Sequence, residues 1–374
     1  METIQTTYVS GAGRPLAGQR ICLYDAAHHR HHFCHHPALG TFRGRLYAMW
    51  SNSLEGEDEI GQRVLYAVSG DGLRWSEPRV LCEAFPGKRG PVTLTAAGFH
   101  TDGERLVAYV AAYEYADQSL TADKHGRTRR GSGCVDTACY ALVSEDGEGF
   151  GVPQNLQLPL CPNFGPQRLR SGRLLMCGNW AHAYTDDPAG LTGWTLRGFC
   201  PEALLPERPA RDDPSYFWQV SKAMGLPGAL CEGAFLEETD GVLHMLHRSY
   251  GPSLFASDSL DGGESWSRPE ATAFPNGNAK FFLGRLPDGR CAFVGNPGPD
   301  TSRCPLVLSL AEKDMRFTTH YLLESQPVSR KFDGIHKGGM YAYPHALVFD
   351  GALYVIYSVW KEDIRLARIP LERI

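Results

Sequence analysis

The sequence predicts an all-β chain: a single domain of six repeated sheets closed into a ring, a β-propeller. Three observations lead there. A turn motif recurs along the chain, a tight hairpin recurs ahead of it, and the 374 residues hold 41 Gly, 25 Pro and 11% aromatics. That composition suits short strands joined by close turns.

The turn motif is clearest in Ser259-Leu260-Asp261-Gly262-Gly263-Glu264-Ser265-Trp266. Its Asp can bond its own backbone, Gly supplies positive φ, Ser bonds back and Trp fills the space beneath, so it reads as a self-closed structural turn. Ser69-Gly70-Asp71-Gly72-Leu73-Arg74-Trp75 is a copy one residue shorter, and Ser144-Glu145-Asp146-Gly147-Glu148-Gly149-Phe150 carries Phe for Trp. Tyr184-Thr185-Asp186-Asp187-Pro188, continuing to Trp194, is a worn copy.

The hairpins show two-residue alternation. The first runs from Ala38 to Trp50, turns at Arg43-Gly44, and is followed by Arg63 to Val68 and the first motif. The second spans Gly98 to Tyr113 with its turn at Asp102-Gly103, then Cys139 to Val143. The third covers Pro166 to Gly178, turning at Ser171-Gly172, and the fourth Ala234 to Arg248, turning at Asp240-Gly241. The fifth is Phe281 to Gly295 around Asp288-Gly289, then Leu306 to Phe317; the sixth is Ala346 to Val359 around Asp350-Gly351, then Asp363 to Ile369. The sixth unit has three strands, and Ile21-Cys22-Leu23-Tyr24-Asp25 near the N-terminus supplies the fourth, closing the ring and hiding its edge. Units of about 60 residues fit propeller blades and fill residues 1–374 as one domain. The Pro-rich stretch 199–228 is unassigned and leaves a seventh blade open.

The repeated turn is identified as the Asp-box, and the chain resembles the sialidase-like β-propellers that carry it. Sialidases hold the sugar carboxylate with an Arg triad, use a Tyr with an adjacent Glu as nucleophile, and have an N-terminal Arg-Ile-Pro motif. That motif is absent. Of Arg63, Arg248 and Arg330 only Arg248 has the right phase, so sialidase activity itself is not expected. A nearer resemblance is to the propellers that act on uronate-containing glycans, the rhamnosyl-glucuronate glycosidases and lyases and the ulvan lyases. It rests on His35-His36-Pro37, Tyr47 to Asn52, Gly56 to Arg63, Asn278-Ala279-Lys280, Gly339 to His345 and Tyr357 to Ile364. The resemblance implies an oligosaccharide pocket with a catalytic His at His36.

In a propeller the segments that lead into the inner strands converge on the axis. Here they carry His35 and His36, Asn163, Glu232, Asn278 and Lys280, and Tyr341, Tyr343 and His345. The second strands offer Trp50, Asn52, Trp180, Arg248 and Asn296 to the same mouth, with Arg63 and Lys337 as further substrate-binding cations. Aromatic faces beside amides and cations suit a sugar ring.

The expected catalytic set is His36, His345, Tyr341, Tyr343 and Arg248. For β-elimination beside a uronate, a cation neutralises the carboxylate, a base takes the C5 proton and an acid protonates the leaving oxygen. Ordinary glycosidases need two flanking carboxylates. Only Glu232 stands at pocket phase, with Glu57, Asp58 and Glu59 in a loop. Elimination is therefore favoured over a His-dependent hydrolase of the α-L-rhamnosidase type, and a silent glycan-binding propeller is the third reading. No cofactor is required by either reaction; a calcium on Glu57 and Asp58 is compatible with both. The run from His28 to His36 reads as a solvated rim loop rather than a zinc site, because adjacent His in an extended chain point to opposite sides; His36, set against Pro37 at the entry of the first inner strand, is the exception.

The chain is 43% hydrophobic and 21% charged with net charge −5. It has no basic footprint for nucleic acid and no apolar run of membrane length. The start, Met1-Glu2-Thr3-Ile4-Gln5, lacks the pattern of a secretory leader, and the 11 Cys show no paired spacing, so reduced thiols and a cytoplasmic location are expected. The partner expected is an oligosaccharide; oligomeric state is not legible.

Overall fold

The computed structural model describes residues 4–9, 12–88, 92–115, 120–122, 128–130, 134–178, 181–198, 230–298, 301–312 and 315–374. It is all-β apart from short 3-10 turns, and six antiparallel sheets form the blades in chain order. All six expected hairpins are present. The first blade comprises Phe33–Phe42, Arg45–Ser53, Arg63–Ser69 and Arg79–Cys82. Inner strands of the other blades are Thr93–Thr101, Gln167–Arg168, Leu230–Glu237, Phe282–Arg285 and Tyr341–Phe349. Among the described residues no helix is long and apolar enough to cross a membrane.

The ring closes as the sequence suggests. Gln19–Tyr24 pairs antiparallel with Asp363–Pro370 and becomes the outer strand of the sixth blade. The sixth inner strand then packs against the first. The chain start goes further: Gln5–Thr6 and Arg14–Pro15 add parallel pairs to the outer edge of the fifth blade, against Arg316–Glu324. Those short pairs cover an edge that would otherwise expose unpaired backbone groups. The stretch 199–228 lies outside the described residues. Cys34, Cys82, Cys139, Cys177, Cys231 and Cys291 are buried, whereas Cys22, on the closing outer strand, is exposed.

The Asp-boxes are scaffold. In the first, Asp71 Oδ1 accepts from the Leu73 and Arg74 backbone N–H groups while Ser69 Oγ accepts from Gly72. Ser69 pairs with Leu46, beside the Arg43-Gly44 turn, so the boxes lie at the end of the blades opposite the inner-strand entrances. Each also locks two blades together. Tyr47 of the first blade donates to the Gly147 carbonyl of the second at 3.2 Å, and Tyr109 of the second to Gly190 of the third at 3.0 Å. The worn copy thus keeps the contact although its Ser-Asp-Gly pattern has decayed. Hydrophobic side chains fill the space between neighbouring blades, as in the cluster of Phe42, Tyr47, Met49, Leu94, Phe99 and Leu106.

This wedge gives a direct test of the scaffold. Gly72 has φ +70°, and a Cβ there would stand 2.1 Å from the Tyr354 hydroxyl of the sixth blade. Gly72→Ala is expected to destabilise the chain by about 2–4 kcal/mol, from the left-handed backbone and the overpacking together. Adding Tyr354→Phe removes the clashing oxygen and should recover part of the loss. Urea unfolding measures both; an unchanged midpoint for Gly72→Ala contradicts the packing.

Candidate active site

Four inner strands lose register, and three of the shifts carry site residues: between His35 and Ala38, between Leu230 and Gly233, and between Ala342 and His345, the fourth lying between Ala96 and Gly98. Extra residues in a strand re-aim the side chains around them. His36 and Tyr343, each followed by a proline, adopt left-handed backbone at φ 53° and 56°. Bulky residues rarely accept that conformation, and it persists where the surroundings enforce it. Asn278, ahead of the fifth inner strand, is a further case at φ 49°.

The bulges bring Tyr343 of the sixth blade against Glu232 and Arg248 of the fourth. The Tyr343 hydroxyl donates to Glu232 Oε1 at 2.6 Å and accepts from Arg248 Nη1 at 2.7 Å. The same Nη1 donates to both Glu232 oxygens, at 2.8 and 2.7 Å. Arg248 spends its remaining donors on Asn278 Oδ1, with Nε at 3.0 Å and Nη2 at 2.8 Å. All three members of the triad are buried.

Further cations surround the Tyr343 ring. Lys280 Nζ lies 5.1 Å from its centroid and the Arg303 guanidinium 5.4 Å. Lys280 is anchored on the Asn163 carbonyl at 2.7 Å, and Arg303 Nη2 on the Asn278 carbonyl at 2.9 Å, while Arg303 Nη1 is buried with no hydrogen-bond partner. The opposite wall is His35 and His36, with ring centroids 4.1 and 5.3 Å from that of Tyr343. Glu57 faces His36 Nε2 at 3.4 Å and accepts from Lys361 Nζ at 2.6 Å. Four cations thus meet two carboxylates in a chain whose net charge is −5, a local reversal of sign that favours anionic ligands.

Protonation follows from burial and pairing. Burial pushes the Glu232 carboxyl up, but Arg248 and the Tyr343 hydroxyl outweigh it and hold it down at about 2. Burial raises the Tyr343 phenol well above its ordinary value against the pull of Arg248. Burial lowers His36 to about 3 and Lys280 to about 8. At neutral pH the site therefore holds an ionised Glu232, a protonated Tyr343 and a neutral His36.

Several expected residues lie elsewhere. His345 is not a partner of His36: its ring packs between Phe164 and Phe282, its Nδ1 accepts the Leu39 N–H, and burial lowers it to about 3. The bulge explains the difference, because Pro37 aligns with Pro344 and so Tyr343, not His345, occupies the place that matches His36. Tyr341 points away from the axis and donates to the Gln326 carbonyl. Trp50 is sealed in the core near Tyr24, and Asn52 bonds the Phe33 carbonyl and Arg63. Strand alternation leaves Ser51 between them as the one that reaches His36.

Arg63 is taken up by Asn52 and Glu83, and Arg330 by Asp333. Asn296 braces the backbone of Arg303 and Pro305. Lys337 is buried beside Glu362, 3.5 Å away. Trp180 lies outside the described residues. Of the site the sequence points to, His35, His36, Asn163, Glu232, Arg248, Asn278, Lys280 and Tyr343 do assemble. Glu57, Arg303 and Lys361 complete it; Glu57 and Lys361 lie in stretches that carry the family resemblance but were not expected as substrate-binding residues, and Arg303 and Lys361 sit in connecting loops at φ 55° and 56°.

Residues 44–355 match the family described as the BNR repeat-like domain. No curated protein matches the sequence. Among solved structures, a protein of unknown function from Dyadobacter fermentans is 14% identical with TM-score 0.64, over 94% of this chain and 97% of that one. A Hadza microbial sialidase is 13% identical with TM-score 0.69, over 95% and 69%. A further sialidase is 20% identical with TM-score 0.66, and there the alignment takes in 99% of this chain but only 35% of the other. At these identities the likeness is one of fold. The chain belongs to the BNR repeat-like domain family and is a six-bladed, sialidase-like β-propeller.

Proposed function

We infer that this chain is a glycan-cleaving enzyme whose substrate sugar bears a carboxylate, and that Tyr343 is the reacting group. The observation that carries this is the arrangement of Tyr343, Glu232 and Arg248. A phenol is a poor nucleophile until it loses its proton. Glu232, ionised and 2.6 Å away, is placed to take it. When the proton crosses, negative charge passes from the carboxylate to the phenolic oxygen. Arg248 Nη1 already bonds both, so one guanidinium stabilises the charge before and after the transfer without moving. Arg303, Lys280 and Lys361 supply the field for the carboxylate, and the aromatic wall of His35 and His36 suits the sugar face.

The Tyr-with-Glu pair that sialidases use is thus matched by Tyr343 and Glu232, while their Arg-Ile-Pro motif is absent from this chain. This makes glycosidic hydrolysis through Tyr343 the first reading. Glu57 at the pocket also removes the ground for preferring elimination, namely the lack of a second carboxylate. Elimination beside a uronate is the second reading, and it rests on the cluster of cations next to a Tyr hydroxyl, which is what acidifying and removing a C5 proton needs. Uronate-terminated and other acidic oligosaccharides separate the two. Hydrolysis releases reducing sugar alone, whereas elimination also creates the ultraviolet absorbance of an unsaturated uronate.

Two outcomes are expected with the active substrate. Tyr343→Phe, nearly isosteric, and Glu232→Gln should each lower kcat by about 10²–10⁴-fold while circular dichroism is unchanged; turnover retained in Tyr343→Phe overturns the assignment. The second outcome concerns pH. Burial lowers Lys280 to about 8, with Glu232 and Cys161 favouring and Arg248 opposing the charged form, so it is charged below that pH and neutral above it. KM for an anionic substrate should therefore rise as pH passes about 8, and Lys280→Met should abolish that rise. A KM that stays flat in the wild-type chain contradicts a role for Lys280 in anion binding.

A further inference from the structure

One wall of the pocket carries groups that take no part in the proton transfer between Tyr343 and Glu232. Among the described residues, His35, His36 and Glu57 each bring a donor atom to within 4.8 Å of the other two. Each is aimed from behind. His35 Nδ1 bonds Ser358 Oγ at 2.8 Å, and that hydroxyl gives its own proton to the Ala342 carbonyl at 3.2 Å. The network therefore assigns the imidazole hydrogen to Nδ1 and leaves a bare lone pair on Nε2. That Nε2 is buried with no hydrogen-bond partner. Ser51 Oγ holds His36 Nδ1 at 3.2 Å, which turns Nε2 towards Glu57. Lys361 holds Glu57 Oε2 and leaves Oε1 facing His36.

We propose that His35 Nε2, His36 Nε2 and Glu57 Oε1 are three ligands of a divalent transition-metal site, zinc by preference, with the fourth position open to the pocket. The spacing fits. His36 Nε2 and Glu57 Oε1 are 3.4 Å apart, long for a charge-assisted hydrogen bond, whereas two ligands at about 2.1 Å from one tetrahedral ion stand about 3.4 Å apart. An imidazole lone pair sealed away from every donor is costly to keep, and an ion would satisfy it. Both imidazoles and the carboxylate already have the outer partners that fix metal ligands in place, Ser358, Ser51 and Lys361.

The donor chemistry selects the metal. Two imidazoles and one carboxylate suit zinc and its neighbours, whereas calcium takes six or more oxygens. Asp58 is not among the grouped ligands, so the set differs from an oxygen-rich one built on Glu57 and Asp58. Lys361, Arg303 and Lys280 act on the same space; Glu57 and an anionic ligand in the fourth position offset their charge and that of the ion. His36 and Glu57 keep 14% and 15% of their side chains exposed, which gives an ion its way in from the mouth. The inference does not depend on the reaction assigned to Tyr343.

The test is metal content. The full chain, stripped with chelator, equilibrated with zinc and dialysed, should retain about one equivalent by mass spectrometry, and cobalt in its place should show the intense visible bands of a four-coordinate site. His35→Ala and Glu57→Gln should each lower retention at least tenfold. Ser358→Ala, which leaves every ligand in place, should weaken binding by about tenfold with an unaltered thermal melt. A variant with His28, His29, His31 and His32 all changed to Gln should keep the ion. No ion retained by the wild-type chain, an ion that persists in His35→Ala, or one lost with the four rim histidines overturns the proposal.

Discussion

The site depends on one buried guanidinium. Arg248 holds Glu232 and Tyr343 together across the propeller axis and fixes Asn278 on the third side. Its blade supplies Glu232, another supplies Tyr343, and a third supplies Asn278, so the contact exists only when the ring is closed. Removing water from a charge is costly unless it is paired and hydrogen-bonded, and here every donor direction that Arg248 spends finds an acceptor. Breaking the set from either side would leave an uncompensated charge in a buried place, which ties the chemistry of the pocket to the closure of the fold.

Closure in turn rests on parts with no chemical role. The N-terminal strand completes the sixth blade, and the Tyr-to-Gly wedges beneath the Asp-boxes fix neighbouring blades at the far end. At the opposite end His36, Tyr343 and Asn278 hold left-handed backbone where the inner strands meet the pocket. A rigid scaffold at one face thus supports irregular strands at the other, and the irregularity sets the side-chain directions that the pocket uses.

Much of this was legible in the sequence. The six hairpin turns and the boxes are local signals, written in Gly, Asp and Ser at fixed offsets, and the closing strand followed from a blade one strand short. Glu232, Lys280 and Tyr343 were legible as pocket residues because each stands at the same phase of its repeat. What escaped were consequences of bulges and loops. Period-two alternation cannot reveal an inserted residue, so it offers His345 to the pocket at a place that Tyr343 takes, and it offers Trp50 and Asn52 where Ser51, between them, is the one that reaches His36. Arg303 and Lys361 come from connecting segments whose left-handed backbone leaves no mark in residue type, and Glu57 lay in a loop whose position no periodicity could fix.

On the proposed mechanism the Tyr343 oxygen bonds to the sugar during turnover. A fluorinated acidic glycoside with a good leaving group, which slows breakdown of such an adduct, followed by peptide mass spectrometry, addresses it most directly. The prediction is one sugar residue attached to the peptide that contains Tyr343, absent from Tyr343→Phe. A chain that turns over the natural substrate yet carries the label on another residue, or carries none, would contradict it.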